Sequence, residues 1–479
     1  MNLFDSFQSK KFKHGGYAAL LVAVVLVVLV AVNLLVDLVP FRADLTKEKI
    51  YSLSEQTYNV LDNLEQEVDI YLLAEAGKEN PTTETILQRY AARTDKLRLD
   101  SVDPLRNPGF AKQFEEEGNR PVVGSVIVTS GDRSRVISPY DMVNYRQADP
   151  NNPFSQQASS LKAEQVLTGA ILYVTGAKQP VVYTLKGHRE NGLPFDIRQA
   201  MENENYVIND LTLLTQDRVP DDADILAVIS PKVDITEDEE EKIRDFLFRR
   251  SGSAFFMMDI QNEEFPNLAD LIAGYGLEIE RMIIFERDAN HHVPKLPFAL
   301  VPRMEDHTVT SGLESEDLLV LFPFSQAVRE REIKRRSIEI EPLLTSTEKS
   351  YGKIDINTDN QEQTPQDPDG PFNLAVAVTD EGEDRESRAV VTASSFFLNP
   401  EAVLNLRLTQ PGNIDFYMNC LSWLQDQEEL ISIRPKNLLA MSLRLTQVQF
   451  YLFAGITVVL IPLTILGAGL IVWLRRRHL

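Results

Sequence analysis

Two long apolar runs, residues 17–36 and 450–474, enclose a body in which hydrophobic positions recur only in short periodic groups. The first run is interrupted only by Tyr17 and Asn33, and the second carries no charge over its whole length. A helix of about 20 apolar residues crosses a bilayer core roughly 30 Å thick, so both runs read as transmembrane helices, placed over 17–39 and 450–474. Lys10, Lys11 and Lys13 precede the first run, and Arg475, Arg476 and Arg477 follow the second. The positive-inside rule then puts the end segments 1–16 and 475–479 in the cytoplasm and everything between on the far side of the membrane. A cleaved signal peptide is the weaker reading of the first run. Its apolar core is too long, and no small-x-small cleavage site follows it. Pro462 and Gly467 in the second run suit a membrane helix better than a soluble one.

Between the runs the periodicity alternates between 2 and 3.6. Ser52 and Glu55 have capping-box spacing, and Val60, Leu61 and Leu64 then share a helical face. A strand at 68–73, a helix carrying Ile86, Leu87 and Tyr90, a strand at 97–102 and two strands at 121–129 and 134–137 complete a first α/β domain, 44–160. A connecting helix over 161–172 opens the second domain, 161–435. There, strands at 180–185, 206–211, 224–229 and 254–258 are separated by helices at 195–202, after the capping box Thr236–Glu239, and at 268–273. Repeated β-α-β predicts a doubly wound parallel sheet, with apolar stretches at 318–322, 338–344, 374–378 and 389–393 completing it. The fold class is therefore α/β: two tandem α/β domains flanked by one transmembrane helix at each end. Residues 352–371 are too polar to bury a core and read as an exposed, mobile acidic loop, and 436–449 as a juxtamembrane segment.

Charge narrows the partners. The formal net charge is −23, and because the end segments carry +2 and +3, residues 17–474 hold −28. Such a body does not bind nucleic acid through bulk charge, and it stands off anionic headgroups. The single cysteine, Cys420, excludes an intramolecular disulfide, which fits a bacterial surface protein better than a eukaryotic secreted one.

Candidate chemistry is sparse. Gly187-His188-Arg189-Glu190 follows a strand, where doubly wound folds place ligand-binding loops, and forms the candidate ligand or partner loop. Its plain alternative is a turn whose His and Glu bond the backbone. His291, His292 and His307 lack diagnostic metal spacing, and adjacent histidines on a strand point to opposite faces. Asp355, Asn357 and Asp359 copy the opening of a calcium loop but lack its glycine, and Gln366 stands where a bidentate Glu is needed. Ser394 and Ser395 end a strand without a nucleophile elbow, and Cys420 lies in an apolar helical stretch. No phosphate-binding glycine loop occurs, so the chain does not itself hydrolyse nucleotide. The residues supply no catalytic group, cofactor site or metal site.

Several stretches together resemble a known family. They are 44–57 (DLTKEKIYSLSEQT), Leu185–Glu190 (LKGHRE), 224–231, 274–277 (GYGL), 413–424 (NIDFYMNCLSWL) and 433–436 (IRPK), followed by the last apolar run with its three arginines. In this order the chain is similar to the auxiliary subunit of gliding-motility-type ABC transporters. The resemblance implies an extracytoplasmic body whose second domain is like class I glutamine amidotransferases, with related domains in an intraflagellar transport protein. It implies that this fold is used without the chemistry, because Cys420 is not on a strand-end elbow. It also implies a multi-span ABC permease subunit and a separate cytoplasmic ATPase as partners, no cofactor, and a place in the bacterial inner membrane with both termini cytoplasmic. The body would bind substrate, cell-wall material or a partner protein. A membrane-anchored hydrolase and a stand-alone surface scaffold are the rival readings, and a nucleophile beside His188 would favour the hydrolase.

Overall fold

The computed structural model describes residues 23–28, 30, 52–75, 77–115, 120–149, 152–315, 318–356, 361–382, 385–404, 412–425, 436–437 and 461–477. The chain divides into two compact units, Met1–Leu53 and Ser54–Leu479. Of the first apolar run, residues 23–28 and 30 are helical and exposed, and the rest lies outside the described residues. Of the second run, residues 461–474 belong to the helix Ile461–Arg477, and 450–460 lie outside the described residues. Among the described residues no helix is long and apolar enough to cross a membrane.

The second unit begins with helix α1 (Glu55–Asp62), followed by β1 (Val68–Leu73), α2 (Pro81–Arg93), β2 (Leu97–Val102), the short α3 (Pro108–Lys112), β3 (Val126–Ser130) and β4 (Arg133–Ile137). The sheet order is β2-β1-β3-β4, with β1 and β2 parallel across α2 and the other pairs antiparallel. Ser54, not Ser52, caps α1: its Oγ accepts from the Thr57 N–H at 3.3 Å. A polar hairpin, β5 (Val143–Asp149) and β6 (Asn152–Leu161), comes next. Helix α4 (Ala163–Val174) then packs back on β3 and β4, burying Leu167 and Ile171 completely.

Glu164, in the first turn of α4, holds the base of this unit together. Its Oε1 accepts from Ser54 N (2.6 Å), Ser54 Oγ (2.7 Å) and Thr57 Oγ1 (2.7 Å). Its Oε2 lies 2.5 Å from Lys436 Nζ, and the Glu164 side chain is 4% exposed. Residues Lys436–Asn437 add a third strand to the hairpin by pairing with β6. One buried carboxylate thus grips both the start of the body and the last strand described before residue 461.

The larger sheet is built on β7 (Val181–Leu185), β8 (Val207–Leu211), β9 (Ile225–Ile229) and β10 (Ser253–Met257), with α5 (Phe195–Asn203), α6 (Glu237–Phe248) and α7 (Pro266–Gly274) between and after them. Edge strand β11 (Leu277–Glu280) follows, and then the short strands β12 (Ile283–Phe285), β13 (His292–Val293), β14 (Leu296–Leu300) and β15 (Arg303–Met304). Helix α8 (Thr308–Ser315), β16 (Phe322–Pro323), β17 (Ala327–Glu330), β18 (Ile338–Thr345), β19 (Tyr351–Lys353), β20 (Asn373–Gly382) and β21 (Arg385–Thr392) come next. Helices α9 (Pro400–Leu404) and α10 (Asn413–Leu424) close the domain.

The strand order β11-β17-β20-β21-β10-β9-β7-β8 corrects the expectation of a purely parallel sheet. Strands β8, β7, β9, β10 and β21 are parallel, whereas β20, β18, β17 and β11 run antiparallel. Strands β20 and β21 form a hairpin that enters the sheet beside β10, so the parallel rule ends there. Residues 318–322 do not complete the sheet either, since Phe322 and Pro323 pair with β14 in a separate small sheet.

Both faces of the parallel half are covered, and period 2 sorts the side chains. Ile225, Ala227, Ile229, Phe255 and Met257 face α5 and α10, whereas Leu226, Val228, Ala254 and Phe256 face α6 and α7. Each fully buried Phe, Leu or Ile contributes about 1.5–3 kcal/mol, so these strands dominate the stability of the domain. The segment 352–371, expected to be exposed, includes buried residues. Lys353 Nζ lies 3.1 Å from Asp367 Oδ2, with side chains 4% and 2% exposed. Asp367 also accepts from Thr364 N and Ile354 N.

Candidate functional site

The carboxyl ends of four adjacent parallel strands, β7, β9, β10 and β21, open onto loops that meet one another. This is where open α/β sheets bind ligands, because strand ends and helix N-termini converge there. The loop after β7 carries the sequence-predicted Gly187, His188, Arg189 and Glu190.

His188 and Glu190 are structural within this loop. Glu190 Oε2 accepts from Gly187 N (3.1 Å) and His188 N (3.0 Å), and Glu190 Oε1 lies 3.0 Å from His188 Nδ1. On its other side, His188 Nε2 lies 3.1 Å from Glu239 Oε2. That oxygen also accepts from Thr236 N and Thr236 Oγ1 in the capping box that starts α6. The His188 carbonyl accepts from Lys232 N and Val233 N. His188 therefore rivets the β7 loop to the N-terminus of α6. Both ring nitrogens face carboxylate oxygens.

Arg189 is treated differently by the fold. It is exposed, and its backbone is left-handed at φ 59°. Among the described residues its guanidinium has no hydrogen-bond or ion-pair partner. A non-glycine residue in this region stores of order 1–3 kcal/mol, and it persists here because its neighbours fix the loop on both sides.

A second knot lies beside the first. Asp259, just past β10, accepts from Ser395 N (2.6 Å), Ser395 Oγ (2.9 Å) and Asn191 Nδ2 (3.2 Å). Lys232 Nζ stands 3.5 Å from Asp259 Oδ2 and donates to Ser230 Oγ at 2.7 Å. Ser230, buried directly after β9, is also left-handed at φ 45°. The loops after β7, β9, β10 and β21 are thus tied together through one buried carboxylate. Sequence reasoning noted Ser395 only as a strand end, and Asp259 directly follows the strand expected at 254–258. Their common signal was that each follows an apolar strand as one of its first polar residues.

Among the described residues the arrangement does not assemble a nucleophile. The Ser395 hydroxyl donates a hydrogen bond to Asp259, and His188 faces two carboxylates rather than a hydroxyl or thiol. Cys420 is buried in α10 among the core residues, and burial pushes its thiol well above the ordinary range, away from the reactive thiolate. His291 Nδ1 pairs with the Val301 carbonyl, His292 Nδ1 with the Val293 carbonyl, and His307 Nδ1 accepts from Val309 N. Among the described residues no group of three His, Cys, Asp or Glu is placed to hold a metal ion. Asn357 and Asp359 of the calcium-like stretch lie outside the described residues.

Comparison with known proteins adds the following. The family model described as "ABC-type uncharacterized transport system" matches residues 179–420, just over half of the chain. A model for a domain of unknown function matches residues 47–144. No curated protein matches the chain. Among solved structures, the mmIFT52 N-terminal domain is similar at 12% identity and TM-score 0.37, over 51% of this chain and 97% of that one. A ThuA-like protein from Bacteroides uniformis is similar at 13% identity and TM-score 0.28, over 52% of this chain and 93% of that one. An exo-β-1,4-mannosidase from an Opitutaceae bacterium is 10% identical with TM-score 0.29, over 79% of this chain and 55% of that one. At these TM-scores none of the three carries an argument.

Proposed function

The chain belongs to the family described as an ABC-type uncharacterized transport system, and from that premise we propose that it is a non-catalytic, membrane-anchored accessory subunit of a bacterial ABC transporter of the gliding-motility type. On this reading the apolar runs 17–39 and 450–474 are transmembrane helices that pack beside a multi-span permease, and a separate cytoplasmic ATPase supplies the energy. Both termini are cytoplasmic. The body between the helices is extracytoplasmic and meets substrate, cell-wall material or a partner protein.

The observation that carries this reading is the grip of Glu164 on Ser54 and Lys436. Each apolar run begins or ends fewer than 20 residues from one of those two positions. At a reach of about 3.3–3.6 Å per residue, the intervening segments are long enough for both runs to enter one membrane face. The riveted β7 loop supports a presenting role rather than a chemical one, because it spends His188 and Glu190 on its own shape and leaves Arg189 outward. Arg189 is the contact for an anionic group on the partner or ligand.

Co-purification of the full chain in mild detergent tests the proposal. A permease and an ATPase recovered in stoichiometric yield are the expected result. Recovery of the chain alone, in a detergent that preserves other ABC complexes from the same membranes, contradicts it.

A further inference from the structure

The sheet's outer edge on the β11 side suggests a second mode of contact. Strand β11 ends the sheet order, and among the described residues no strand pairs with its outer edge. A groove of about 380 Å³ runs between this strand and α7. Its floor is apolar and includes Phe265, Ile272 and Ile279. Its lining carries Glu263, Glu264 and Asp270, whose carboxylates have no hydrogen-bond or ion-pair partner among the described residues. The lining also carries Arg331 and Arg281, the latter donating to the Gln261 carbonyl at 2.9 Å. A groove between a helix and a free strand edge presents backbone donors and acceptors along one side and side-chain pockets along its floor. That combination suits an extended peptide, which adds as a strand and points alternate side chains inward and outward.

We propose that the groove between α7 and β11 captures an extended peptide segment of a partner protein in which apolar residues alternate with basic ones. The apolar side chains seat on Phe265, Ile272 and Ile279, and the basic ones meet the unpaired carboxylates of Glu263, Glu264 and Asp270. The peptide backbone pairs with β11. Charge complementarity selects the basic sequence, because the unpaired acids outnumber the two arginines and the chain as a whole carries −23. This goes beyond the accessory-subunit reading: peptide capture needs neither permease nor ATPase, so either statement can fail without the other.

The test uses a fluorescein-labelled peptide of about eight residues alternating Val and Lys, titrated by fluorescence anisotropy with the full chain in detergent. Saturable binding is expected, weakened on the order of tenfold or more in the variant Glu263→Lys/Glu264→Lys/Asp270→Lys. The same peptide with Pro in place of each Val is expected to lose binding, because proline cannot donate to a strand edge. That arm uses the unaltered protein, so it stands even where the triple variant does not fold. Equal binding of a Val–Glu peptide, retained binding of the proline peptide, no binding of the Val–Lys peptide, or unchanged affinity in a folded triple variant overturns the proposal. So does a β11-to-β11 dimer, detected by sedimentation, that excludes the peptide.

Discussion

His188 sits between two carboxylates, both buried, and is bonded to each through a different ring nitrogen. Replacing it with alanine leaves Glu190 and Glu239 facing a void without their shared donor. The expected loss is about 3 kcal/mol, read as a lowered urea midpoint. Arg189, the next residue in the same loop, behaves in the opposite sense. Arg189→Gly relieves the left-handed strain, so stability stays level or rises by up to about 1 kcal/mol while any anionic partner is lost. A destabilisation of Arg189→Gly similar to that of His188→Ala would contradict the division of roles within this loop. Asp367 gives a pH-dependent case. Burial pushes its carboxyl up, but donors from Thr364, Ile354 and Lys353 outweigh that and hold it at about 2, below the ordinary 3.8. A carboxyl held low in the fold stabilises above pH ~4, and that share disappears as pH falls toward about 2. Asp367→Asn should therefore shrink the difference between urea midpoints measured at pH 5 and pH 2.5. An unchanged difference would show that Asp367 does not set this acid sensitivity.

At the scale of elements, α6 has a start and a stop that can be tested separately. Thr236 accepts from Glu239 N, and Glu239 reaches back to Thr236 N, so Thr236→Ala should cost about 1 kcal/mol. At the other end Ser251, not Gly252, is the left-handed residue, at φ 57°. Gly252 is needed for another reason: a Cβ there would lie 2.4 Å from the Phe246 ring. Gly252→Ala should therefore destabilise by about 1–3 kcal/mol in thermal melts, and Ser251→Gly should not. These two positions show which kinds of feature sequence makes legible. Apolar strands such as β9 and β10 and the α6 capping box announce themselves, because burial and capping need particular residue types. The hairpin β5–β6 does not, since its segments VNYRQAD and NPFSQQASSL lack apolar alternation. The α1 cap fell on Ser54 instead of Ser52 because Glu164, far away in sequence, fixes Ser54 in place. Sheet order was beyond reach for a similar reason: nothing local says that β21 pairs with β10 and carries an antiparallel neighbour. The candidate loop 187–190 was visible, but the Asp259–Ser395–Asn191–Lys232 knot spans four separate loops and emerges only on folding.

For the whole molecule, Glu164 joins Ser54 to Lys436, the joint on which the proposed two-ended tether depends. Glu164→Ala should leave the larger sheet intact while freeing Lys436–Asn437, seen as faster amide exchange at 160–161 and 436–437 with little change in β9 and β10. Equal acceleration throughout would show a general loss of stability instead of an opened joint. In the proposed topology a single body is held at both ends to one face of a membrane. Its most direct test is maleimide labelling in intact cells on a Cys420→Ser background, with single cysteines placed by Ser9→Cys, Asp132→Cys and His478→Cys. Asp132 lies in the exposed turn between β3 and β4, so its replacement should react with a membrane-impermeant reagent, while the two terminal cysteines react only after the cells are opened. Labelling of either terminus from outside, or protection of the cysteine at 132 until lysis, would contradict the account.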